Sequence, residues 1–151
     1  PLPLADEPAA ELGAAAPGPQ PLKGLRVLVA EDNPVNMLIV SEMLQRQGAQ
    51  VLQAEDGACA IELAVREAAL GLHAVLLDLH MPHVDGLTAA RRLRDDPRTA
   101  SIVRVAMSAA VLDHDRQAAE EAGMQHFIAK PVTDADLLRY LGPLAAGPRL
   151  H

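Results

Sequence analysis

The sequence predicts an α/β domain organised on a doubly wound sheet of five parallel strands, and three observations predict it. Short apolar runs recur along the chain, each bounded by turn residues, as strands buried on both faces require. Between them lie segments with helical spacing, long enough for the crossover of about a dozen residues that parallel neighbours need. Several of the runs end on, or just before, a residue with usable chemistry, and open α/β sheets place ligands at the C-terminal ends of their strands.

The elements follow in order. Residues 1–22 are rich in Pro, Ala and Gly, carry acids but no hydrophobic period, and read as a flexible linker. A helical piece around Ala9 to Ala16 would have no apolar face to dock. Leu25 to Ala30 is the first strand, followed at once by Glu31-Asp32-Asn33-Pro34. Pro34 suits the first turn of a helix, and Met37, Leu38, Val40, Met43 and Leu44 continue it until Gly48. A second strand, Gln50 to Ala54, leads through Glu55-Asp56-Gly57 into a helix reaching the neighbourhood of Leu70. The third strand begins near Ala74 and ends on Asp78. Gly86 opens the next helix, which carries Leu87, Ala90 and Leu93 and stops at Asp96-Pro97. Ile102 to Met107 is the fourth strand, Asp113 to Ala122 the fourth helix, and Gln125 to Ala129 the fifth strand. Thr133 is placed to cap a last helix with Asp136 as its capping-box acid, and Gly142-Pro143 is expected to end that helix near Leu141. The domain is thus expected over 23–145, with a tail at 146–151. Five strands alternating with five helices make a flavodoxin-like (βα)5 fold, with strand order 2-1-3-4-5.

Composition limits what such a domain does. Half of the 151 residues are hydrophobic but only 1% are aromatic, so the core is built from Leu, Val, Ile and Ala. A net charge of -7, without a basic stripe, argues against nucleic-acid binding. Arg91, Arg92 and Arg94 form the densest basic group and read as a solvated helix face. The single Cys59 cannot form an internal disulfide and reads as a small core residue. No apolar run approaches the roughly 20 residues that span a bilayer, and no signal peptide is visible at the start, so a cytoplasmic domain is expected. The six histidines show no metal-ligand spacing.

Four strand ends converge on one edge of this sheet: Glu31 and Asp32, Asp78, Ser108, and Lys130. Singly, each is an ordinary turn or loop residue. Together they form a chemical set. Three carboxylates at one edge raise each other's pKa unless a cation lies between them, and hard oxygen ligands with room for water suit Mg²⁺. A phosphoryl group delivered to Asp78 needs its oxygens neutralised, which Mg²⁺, the Lys130 ammonium and the Ser108 hydroxyl could do.

These residues carry a resemblance. From about Leu25 to Leu141 the chain resembles a two-component receiver domain, the phosphoacceptor module of response regulators and hybrid histidine kinases. Its acid pair is matched by Glu31-Asp32, its acceptor by Asp78 in Leu77-Asp78-Leu79-His80-Met81-Pro82, and its following Asp-Gly by Asp85-Gly86. Ser108-Ala109 and Lys130-Pro131 complete the pattern in order. The resemblance implies Mg²⁺ held by Asp32, Asp78 and the backbone carbonyl of His80, with Glu31 acting mainly through water. It implies a cis bond before Pro131, a switch pair of Ser108 and Phe127, and His80 and Ala110 as sites that set the lifetime of the acyl phosphate.

The partners implied are a histidine kinase core, which could lie in the same chain, and a histidine phosphotransfer protein. Asn33-Pro34-Val35-Asn36 after the acid pair, behind a long flexible lead, is similar to receivers fused to hybrid sensor kinases. Such a parent could be anchored in the inner membrane. The alternatives fit less well. A small aspartyl-phosphate-forming phosphohydrolase commonly has an Asp two residues after its nucleophile, where this chain has His80. A flavodoxin-type cofactor binder needs a hydroxyl-rich phosphate loop, and Glu31-Asp32-Asn33 repels phosphate there. A degenerate receiver lacks part of the set, and nothing is missing here.

Overall fold

The computed structural model describes residues 20–81, 84–109 and 113–146. The lead to Pro19, Pro82, His83, Ala110 and the tail from Gly147 lie outside them. Among the described residues five strands, β1 (Arg26–Ala30), β2 (Gln50–Ala54), β3 (Ala74–Asp78), β4 (Val103–Ser108) and β5 (His126–Ala129), alternate with five helices. These are α1 (Pro34–Arg46), α2 (Gly57–Ala68), α3 (Gly86–Asp95), α4 (Asp113–Glu121) and α5 (Asp134–Ala146). The sheet order is β2-β1-β3-β4-β5 and each neighbouring pair is parallel, as expected.

Alternation along the strands divides the core into two layers. Leu28, Val75, Leu77 and Ala106 face α2, α3 and α4, which offer Ala60, Ala64, Ala89, Ala90, Leu93 and Ala119. Val27, Val29, Leu76, Val105 and Ile128 face α1 and α5, which offer Met37, Val40, Leu44, Leu137 and Leu141. Alanines on the first face let helices lie close to the sheet, which is how a core almost without aromatics closes.

Local chemistry starts the helices where the sequence places them. The side chains of Asn33, Asp56 and Asp85 accept the orphan N–H groups of α1, α2 and α3. At α5 the capping box is reciprocal: Thr133 Oγ1 accepts from Asp136 N at 3.1 Å, and Asp136 Oδ2 from Thr133 N at 3.1 Å.

Two expectations need correction. α5 does not stop at Gly142-Pro143 but carries Pro143 inside it and runs to Ala146. Leu144 and Ala145 pack against the α1–α5 layer, and that burial offsets the hydrogen bond that Pro143 cannot make. Leu22, assigned to the lead by composition, is fully buried, and its N–H donates to the Gln47 carbonyl at 2.8 Å. The packed unit therefore includes it.

Candidate functional site

Register sets the site. Ala30 pairs with Leu77, so the next residues stand side by side: Glu31 just past the end of β1 and Asp78 as the last residue of β3. Asp78 pairs with Met107, and Ser108 with Ala129, so Ser108 and Lys130 follow one step further along. The Lys130 N–H donates to the Ser108 carbonyl at 2.9 Å, and the Lys130–Pro131 bond is cis, as the resemblance implies.

The Lys130 ammonium binds both acids, with Nζ 2.7 Å from Glu31 Oε1 and 3.0 Å from Asp78 Oδ2. Both carboxylates are buried, while Asp32 is exposed. Oxygens of Glu31, Asp32 and Asp78 lie within 4.8 Å of one another. That is a cluster of hard ligands open to water on one side, the donor set that Mg²⁺ takes. Burial raises the Glu31 pKa and Asp78 raises it further, against the pull of Lys130 and the Asn33 N–H. Burial alone would lower the Lys130 pKa, but its two carboxylate partners outweigh that and hold it above the ordinary value.

The remaining oxygens are committed as well. Glu31 Oε2 accepts from Asn33 N at 3.2 Å, and Asp78 Oδ1 from His80 N at 3.0 Å. The His80 side chain is exposed. Gly86 fits here for a steric reason, since a Cβ on it would come within 2.3 Å of the Asp78 carbonyl oxygen. A side chain at position 86 would push the loop off the strand end that carries the acid.

Ser108 is fully buried, and by strand period it shares a face with Ala106, which pairs with Phe127. Ser108 and Phe127 therefore stand diagonally on the same face of neighbouring strands. Phe127 is half-buried against the α2–α3–α4 layer, with the Arg116 guanidinium carbon 4.8 Å from its ring centroid. Sequence reasoning did not find Arg116, because an Arg on an exposed helix carries no signal until the register of α4 on β5 is known. It also did not find the apolar stripe on α1, where Val35, Leu38 and Ile39 are exposed. Those residues belong to the helical period, and only the structure separates the inward ones from the outward ones. Ile39 also lines a hollow of about 320 Å³ beside Lys130, with Val40, Pro131 and Val132.

The comparisons with known proteins agree with this geometry. The family model for the response regulator receiver domain matches residues 27–141, and the chain belongs to that family. It is 35% identical over 115 residues to hybrid signal transduction histidine kinase L of Dictyostelium discoideum, covering 74% of this chain and 7% of the kinase. It is 31% identical over 122 residues to protein PilH of Pseudomonas aeruginosa, covering 81% of this chain and 98% of PilH. The receiver domain of sensor histidine kinase PA1611 from Pseudomonas aeruginosa, crystallised with magnesium in its active-site cleft, superposes with a TM-score of 0.74. It is 34% identical, with 81% of this chain and 98% of that one covered. The Saccharomyces cerevisiae receiver of Ssk1, solved with the phosphotransfer protein Ypd1, gives a TM-score of 0.69 at 26% identity over 78% of this chain and 86% of that one. The chain is a receiver domain of phosphorelay signalling, and no described helix is long and apolar enough to cross a membrane.

Proposed function

We propose that Asp78 is the phosphoacceptor and takes its phosphoryl group from a phosphohistidine. The observation that carries this reading is the placement of the Asp78 carboxylate. It is buried at the end of the central strand, paired with Lys130 and gathered with Glu31 and Asp32. In the transfer the donor's N–P bond breaks as an Asp78 O–P bond forms, and the donor imidazole recovers its proton from solvent. Lys130, already on Asp78 Oδ2, is in reach of an oxygen of the incoming group, and Ser108 supplies a hydroxyl donor to another. Asp32 and Asp78, with the His80 backbone carbonyl, hold Mg²⁺, which when bound neutralises phosphoryl oxygens. Both oxygens of Glu31 are engaged by Lys130 and Asn33, which suits a role through water. Phosphorylation draws Ser108 inward and lets Phe127 turn on the shared face, so that the surface of α4, β5 and α5 changes.

Labelling with acetyl phosphate in Mg²⁺ tests the acceptor. Hydroxylamine-sensitive label is expected on the wild-type domain and none on Asp78→Asn; full labelling of that variant overturns the reading.

The partner reading is narrower. A histidine kinase core, in the same chain of a hybrid sensor kinase, phosphorylates Asp78, and the group passes on to a histidine phosphotransfer protein. The hybrid kinase relative and the Asn33-Pro34-Val35-Asn36 stretch support the first step. The α1 stripe of Val35, Leu38 and Ile39, with the hollow beside Lys130, offers the apolar face of a phosphotransfer helix a seat next to the acceptor. The domain works in the cytoplasm, the parent being anchored in the inner membrane. Residues 1–22 serve as the linker to it, apart from the buried Leu22. The phosphohydrolase reading has no observation in its favour, because His80 stands where its acid would be.

A further inference from the structure

We propose that Arg116 is a positioning residue for Phe127: its guanidinium holds the ring on the α4–β5 face in the unphosphorylated domain, and the ring must break this contact to turn. The inference rests on the switch role given to Phe127 above. The Arg116 guanidinium carbon lies 4.8 Å from the ring centroid, inside the roughly 6 Å over which a cation is attracted to a ring face. The ring packs against the Ala-rich layer with its buried part. Around its outer part, Ala119, Glu120, Met124, His126 and Tyr140 line a groove together with Arg116. Phe127 is thus held between an apolar layer and an exposed cation.

A planar guanidinium suits this task, because it stacks on a ring where an ammonium makes only a point contact. A rotamer step of about 120° carries the ring off the axis of its present contact. The guanidinium then has no ring face beneath it. The contact exists in one state and not in the other, which is the condition for any group to bias an equilibrium. Arg116 therefore opposes the switched state, and the phosphoryl group has to overcome it.

Phe127 is the chain's only phenylalanine, so ring-¹³C phenylalanine reports on this ring alone. The domain, Arg116→Gln and Arg116→Lys are titrated with beryllofluoride in Mg²⁺ while the ring signals and thermal unfolding are followed. In the wild type the ring signals should move on saturation. In Arg116→Gln they should start part of the way along that path, and beryllofluoride should bind about two- to fivefold more tightly. Arg116→Lys should fall between the two. A merely structural role would lower the melting temperature and leave both the starting position and the affinity unchanged. That result in Arg116→Gln overturns the latch while leaving the phosphoacceptor reading intact. A wild-type ring that stays still at saturation removes the switch role of Phe127 and the latch with it. Absence of beryllofluoride binding removes the acceptor reading beneath both.

Discussion

At the N-terminal end of the sheet, Arg104 is buried, with Nε on the Gly123 carbonyl at 2.8 Å and Nη1 on the Ala100 and Ile102 carbonyls at 3.1 and 3.0 Å. At the same end, on β1, Arg26 pairs with Glu67 and donates to the Leu70 carbonyl. At the C-terminal end one ammonium, Lys130, answers Glu31 and Asp78 while Asp32 stands close by. Burial pushes the Arg104 pKa down, with Arg94 adding to the effect, yet its guanidinium is met by backbone oxygens. At the opposite end burial pushes Glu31 up towards protonation. The difference separates two uses of buried charge. One end is saturated with partners and fastens loops to the sheet; the other is short of positive charge, and a dication or a proton completes it.

The saturated end is the costlier one to disturb. Arg104→Met leaves several inward-facing carbonyls without donors, so unfolding in urea should show a loss of about 2–3 kcal/mol. Mg²⁺ affinity should be unchanged in the same variant. A change in Mg²⁺ binding comparable to the stability loss would show that the two ends are not separate.

Next in size is Lys130→Met, which leaves Glu31 and Asp78 facing each other without a cation. A loss of about 1–2 kcal/mol is expected, below the range for a fully buried pair because part of the Lys130 side chain meets solvent. Magnesium should restore some of that loss, since it supplies the missing charge. If the melting temperature of this variant is insensitive to Mg²⁺, the charge-deficient view of this end is wrong.

Much of this site is legible in the sequence because each part sits at the end of an apolar run. Asp78 ends a run of four hydrophobic residues, and Lys130-Pro131 closes another. Parallel strands of similar length then bring such residues to one edge without further information. What the sequence does not show is which partner each charge chooses. Glu31 and Lys130 are far apart in the chain, and only the order of strands makes them a pair. Leu22 follows a Pro-rich lead with no period to mark it as core; its packing in the α1–α5 layer and the bond from its N–H to the Gln47 carbonyl are visible only in the fold. Pro143 breaks the local rule for helices, and tertiary packing of Leu144 and Ala145 overrides it.

A third test sharpens the difference between the buried acids and the exposed one. Asp32→Ala should weaken Mg²⁺ binding about tenfold or more by calorimetry. Without metal its stability should stay within about 0.5 kcal/mol of the wild type, as for surface substitutions generally. Unchanged affinity would remove Asp32 from the ligand set.

The smallest expected effect is a slope with pH, and it belongs to Glu31. In the unfolded chain this carboxyl titrates near its ordinary 4.5, and in the fold it titrates higher, chiefly because of burial. Between those two values the native state binds more protons than the unfolded state, so metal-free stability falls as pH rises through that window. Glu31→Gln cannot titrate and still leaves Lys130 its pair with Asp78. Thermal unfolding of the two proteins in chelator, from pH 4.5 upward, should therefore show the glutamine variant gaining on the wild type as the window is crossed. Saturating Mg²⁺ should reverse that trend, because the ionised Glu31 then faces a dication instead of two more carboxylates. Parallel curves under both conditions would mean that Glu31 carries no strain from its burial, and that the excess negative charge rests on Asp78 and Asp32 alone.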